Sequence, residues 1–89
     1  MNVKNLWSNA METKIKEILS EIQPDYIFSD EKNFIDEGYL DSFDIVTLVS
    51  ELENTFSIII SAMDIIPENF VSINSICALV KKSRKVEKR

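Results

Sequence analysis

Ser42 stands between an acid and a bulky aromatic, Asp41 and Phe43, where a loop gives way to a helical pattern. A serine becomes a nucleophile when an adjacent base takes its proton, and the usual base is an imidazole. The chain contains no histidine. Its single thiol, Cys77, lacks the same helper, and one Cys without His builds neither an internal disulfide nor a zinc cluster. Acids are abundant, 15 Asp and Glu, but nothing in their spacing marks a pair held for acid–base work. A phosphate-cradling loop needs several glycines, and Gly38 is the only one. A calcium loop with Gly38 at its sixth position would place Ile35 at the third, a ligand position. Neither catalysis nor metal binding is therefore expected. For Ser42 two readings stand. A Ser or Asp at a helix start is most often a cap. Asp41 can supply that cap, with Asp44 three residues on completing a weak capping-box pattern, and would leave the Ser42 hydroxyl available.

The elements that must hold this serine follow from apolar spacing. Leu6, Trp7, Met11, Ile15, Ile18, Leu19 and Ile22 recur at helical intervals, predicting a helix over about residues 4–23 that Pro24 ends. Residues 24–41 form a long connection. Its Tyr26, Ile27, Phe28, Phe34, Ile35, Tyr39 and Leu40 are costly to leave in water, so the loop is expected to lie on the core as a lid. Gly38 gives it backbone freedom just before the second helix. That helix begins at Asp41 or Ser42 and ends near Thr55, with Ile45, Leu48, Val49, Leu52 and Phe56 on one face and Val46 widening it. "FSIII" has strand propensity but no convincing partner strand, so it reads as an extended connection with its isoleucines inward. A short turn at 61–64 and a one-turn helix at "PENF" follow. A last helix over about 72–82, capped by Ser72, buries Ile73, Ile76, Cys77 and Val80, with Cys77 a small core residue. The expected fold is all-α: a small bundle of three longer helices and a short one, with a long ordered loop between the first two.

Length and charge bound the rest. The 89 residues make one domain, with its core at about 4–82 and a basic frayed tail at 83–89. The net charge of −5 divides unevenly: residues 1–80 hold 4 Lys/Arg against 14 Asp/Glu, and residues 81–89 hold 6 Lys/Arg against one Glu. Between residues 25 and 68 there are 11 acids and only Lys32. Such a surface repels nucleic acid and steers basic partners toward itself. No signal-like stretch opens the chain, and its longest uninterrupted run of strongly apolar residues, Ile58 to Ile60, cannot span a bilayer. A soluble, cytoplasmic monomer that binds no nucleic acid and enters no membrane is expected.

The stretch "FIDEGYLDSFDIVTLVSELENTFSI" resembles the segment of acyl and peptidyl carrier proteins that leads through their second helix, and "IIPENFVSINSICALVKK" resembles their C-terminal part. The likeness covers roughly residues 10–82. It implies a four-helix bundle of acyl-carrier type. It implies that Ser42 bears 4′-phosphopantetheine, donated by coenzyme A, and that cargo travels as a thioester on that arm. Asp41 and Phe43 would be read by a phosphopantetheinyl transferase, Asp44 and Glu51 would meet basic patches on cargo-activating and synthase enzymes, and Met63 with the 61–66 turn would lie near the arm. Fatty-acid carriers commonly have Leu after the serine and Glu four residues further along, where this chain has Phe43 and Thr47. In this it is more like D-alanyl carriers or discrete polyketide and nonribosomal-peptide carriers. The alternative is an unmodified acidic adaptor of the same fold that binds a partner through its second helix.

Overall fold

The computed structural model describes residues 3–86, with side chains from Asn9 onward. Three α-helices dominate these residues: α1 (Val3–Ile22), α2 (Ser42–Phe56) and α3 (Ile73–Lys82). The short fourth helix expected at "PENF" is a 3₁₀ turn, Pro67–Phe70, and a second 3₁₀ turn spans Ala62–Asp64. Proline at the first position presets the backbone of the longer turn.

The α1 stripe packs against both other helices, with Ile15, Ile18 and Leu19 buried and Met11 and Ile22 half-buried. The side chains of Leu6 and Trp7 lie outside the described residues. From α2 come Leu48, Val49 and Leu52, with Ile45 and Phe56 at the margin. Val46 does not widen this face; it is 67% exposed. At 100° per residue it falls roughly 100° from the middle of the stripe, beyond the arc that α1 covers. On α3 the buried set is Ile73, Ile76, Cys77, Leu79 and Val80, one residue wider than the predicted stripe. The cause is coverage from two sides, by α1 and by the Pro67–Phe70 turn.

Residues 23–41 contain turns but neither helix nor strand. Phe28, Phe34 and Leu40 insert into the core, and an aromatic ladder organises the segment. Phe28 meets Phe34 edge-on at 4.9 Å and Tyr39 at 5.8 Å, while Tyr26 stacks on Tyr39 at 4.4 Å. Ile27 departs from the lid expectation. It is 86% exposed, because its neighbours turn to the ladder and leave it on the outer side.

Two expectations fail in the last third. Ile58–Ile59 does find a partner strand: as β1 it pairs antiparallel with β2 (Arg84–Lys85), in the register Ile58 with Lys85 and Ile59 with Arg84. Val86 extends the pairing by donating its N–H to the Ser57 carbonyl at 2.9 Å. Residues 84–86 are thus no frayed tail; Glu87 to Arg89 lie outside the described residues. The strand sends Ile58 and Ile60 inward and leaves Ile59 on the outer face, as a period of two requires. The chain enters β1 through Ser57, in the left-handed region at φ 53°, which stops α2.

Candidate functional site

The start of α2 is built from its two ends inward. On the loop side, Phe34 is the anchor: its ring is fully buried, and its carbonyl accepts from both Tyr39 and Leu40 N–H, at 2.9 and 3.2 Å. The Asn33 side chain holds the turn by accepting from Ile35 and Asp36 N–H. Gly38 completes it at φ +74°, a conformation that other residues resist. Phe34 N–H also reaches across to the Val71 carbonyl at 2.9 Å, which fastens the loop to the segment before α3. Asp41 is therefore delivered from a fixed platform.

Asp41 is the N-cap, with extended backbone. Its Oδ1 accepts from Asp44 N–H at 2.8 Å, and Asp44 Oδ2 accepts in return from Asp41 N–H at 3.2 Å. The capping box read from spacing is present on both sides. Ser42 is the first helical residue; it is exposed, and its hydroxyl has no hydrogen-bond partner among the described residues. The backbone N–H groups of Ser42 and Phe43 are likewise unpaired among these residues. They lie at the positive end of a 15-residue helix.

The first turn of α3 shows the contrast. There Asp30, from the distant loop, accepts from Ile73 N–H at 2.6 Å and Asn74 N–H at 3.1 Å, and Ser72 Oγ accepts from Ser75 N–H at 2.9 Å. A carboxylate of the chain itself occupies at α3 the donors that α2 leaves open. Asp30 is 43 positions from Ile73, so no local signal in the sequence marks it.

Phe43, Asp44 and Glu51 meet in one groove, lined also by Thr47 and by Glu21 and Ile22 at the end of α1. The Phe43 ring is 79% exposed. Asp44 differs from expectation in its surroundings: the same Oδ2 that completes the box accepts from Gln23 Nε2 at 2.9 Å, tying the end of α1 to the start of α2. Gln23 carries no sequence signal beyond standing before Pro24. Thr47 turns its hydroxyl back to the Phe43 carbonyl at 3.3 Å. Met63 is not part of this groove. It stands 86% exposed on the Ala62–Asp64 turn, where its N–H bonds to Ser61 Oγ. Cys77 is buried, and burial first, then the Glu12 charge, push its thiol above the ordinary range.

Phosphopantetheine bears a phosphate at its root, and the start of α2 fits such a group. An exposed hydroxyl stands at a helix N-terminus beside N–H groups that have no acceptor among the described residues, while the neighbouring acid does the capping. Residues 9–80 of the chain match the family model described as the phosphopantetheine attachment site. No curated protein and no solved structure matches the chain. With that match over most of its length, the chain belongs to the phosphopantetheine attachment site family, whose domains carry 4′-phosphopantetheine covalently on a serine.

Proposed function

We propose that the chain is an acyl or aminoacyl carrier and that Ser42 is its attachment residue. The observation that carries this is the division of labour at α2: Asp41 caps, and Ser42 presents a hydroxyl that, like the N–H groups beside it, has no partner among the described residues. When bound, the group supplies a flexible arm ending in a thiol that holds cargo as a thioester. The chain's own residues fix the root, leave the positive end of α2 open to the phosphate charge, and keep solvent access to the serine. The buried Cys77 thiol is held neutral and takes no part. No residue of the chain is assigned a catalytic step.

Phe43 and Glu51, on the groove beside Ser42, are the residues we assign to partner recognition, together with Asp44 and the Asp41 flank. Met63 supplies a separate exposed apolar contact. The partners are a phosphopantetheinyl transferase, a loading enzyme and the enzymes that consume the cargo. Phe43 and Thr47, in place of Leu and Glu, favour a D-alanyl, polyketide or nonribosomal-peptide pathway over bulk fatty-acid synthesis. The adaptor alternative rests on the dense acid between residues 25 and 68; it predicts that Ser42→Ala leaves function intact while charge reversal at Asp44 and Glu51 weakens partner binding. No described helix is long and apolar enough to cross a membrane. A cytoplasmic setting is our reading from the sequence.

The test is intact-mass spectrometry after incubation with coenzyme A, Mg²⁺ and a broad-specificity phosphopantetheinyl transferase. The wild type should gain a single phosphopantetheine increment and Ser42→Ala none. A folded wild type that gains nothing would refute the assignment.

A further inference from the structure

The far end of α2 carries a surface of opposite character. Phe56 closes the 15-residue helix, which at about 1.5 Å per residue sets it about 20 Å from Ser42. Beside it, Ala10, Met11 and Lys14 of α1, Thr55 and Phe56 of α2, and Lys85 of β2 line an open hollow of about 310 Å³. Met11 and Phe56 are half-buried against the core and form an apolar floor. Lys14 and Lys85 are exposed at its rim, and neither side-chain ammonium has an ion pair or hydrogen bond among the described residues. Lys85 reaches this place because β2 pairs with β1, the register setting it opposite Ile58.

We propose that this hollow docks an acidic helical segment of a partner protein, with an apolar side chain over Met11 and Phe56 and carboxylates on Lys14 and Lys85. Charge complementarity is the main argument. In a chain of net charge −5, two ammonium groups that are unpaired among the described residues flank one apolar hollow. An acidic segment gains from both, whereas a basic one is repelled. Form supports it: the hollow is open and at the small end of the range for ligand pockets, about 300–1,000 Å³. It suits an anchor side chain projecting from a helix better than an enclosed small molecule. Position gives the consequence. A partner held here leaves the Ser42 end clear, so one protein can tether the domain while another works at the serine. The docking itself does not depend on what Ser42 carries.

The probe is a synthetic helical peptide with leucine on one face and glutamate on the others; a twin carries lysine in place of glutamate. Each is titrated into the ¹⁵N-labelled full chain, and amide shifts are followed. The acidic peptide alone should give saturable shifts at Met11, Lys14, Phe56 and Lys85, weakening as salt rises. Lys14→Glu combined with Lys85→Glu should weaken binding about tenfold. If that variant loses its fold, Lys14→Gln with Lys85→Gln should still lower the affinity. Ser42→Ala should titrate like the wild type, which separates this proposal from the assignment of the attachment residue. Equal binding of both peptides, shifts centred on residues 42–47, or no saturable shift would overturn it. So would dodecanoate filling the hollow when the acidic peptide does not.

Discussion

Asp41 and Ser42 are neighbours with different tasks, and their stabilities should part accordingly. Replacing Asp41 by Ala removes the acceptor for Asp44 N–H and should cost about 1 kcal/mol. In a domain of this size that lowers the melting temperature by roughly 4–8 °C. Ser42→Ala removes a hydroxyl that bonds nothing among the described residues, so its cost should stay within about 0.5 kcal/mol. An equal loss in both melts would make Ser42 a cap after all. Cys77 gives a pH test. Its thiol is raised in the fold, chiefly by burial and next by Glu12. The contribution of the neutral thiol is thus complete below the unfolded thiol range and fades as pH climbs above roughly 8.5. The melting difference between wild type and Cys77→Ala should shrink over that rise; a constant difference would show that the thiol is not perturbed. The capping box was legible because Asp41 and Asp44 are three positions apart. The tie from Asp44 to Gln23 was not, since it joins residues 21 positions apart and depends on how two helices meet.

Helices α1, α2 and α3 follow from apolar spacing to within one or two residues, because each buries one stripe and has a local stop or cap. What escaped was pairing at a distance. β1 was visible by propensity, but its partner is the basic pair Arg84 and Lys85, which carry no strand signal and are placed by backbone hydrogen bonds alone. The same holds for Glu53, whose carboxylate on α2 accepts from Ile60 N–H at 3.0 Å and holds the exit of β1. Asp30 reaches across 43 positions to cap α3. Asp30→Ala would leave Ile73 and Asn74 N–H without their acceptor. It should cost about 1–2 kcal/mol. Amide exchange in the first turn of α3 should speed up, while the first turn of α2 keeps its rates. Unchanged exchange at α3 would mean that Ser72 suffices as the cap.

Across the whole molecule, charge is distributed by region. Eleven acids and one lysine lie between residues 25 and 68, whereas six of the ten basic residues lie from residue 81 onward. Lys82 bridges the two by pairing with Asp64 at 3.0 Å, and with both side chains partly in solvent the pair contributes little. Repulsion within the acidic body should ease as counterions gather, so moderate salt or Mg²⁺ should raise the melting temperature. A melt indifferent to both would show the acids to be spaced too widely to matter. This regional layout was plain in the sequence. Its consequence at the far end of α2 was not, because Lys14 and Lys85 come together only through the strand pairing.

The central claim is that Ser42, and no other hydroxyl, receives the arm. Fragment-resolved mass spectrometry of the enzymatically modified chain tests it most directly. The phosphopantetheine increment should map to Ser42 within the segment 40–44. An increment on Ser50, Ser57 or Ser61, or one that persists in Ser42→Ala, would contradict it.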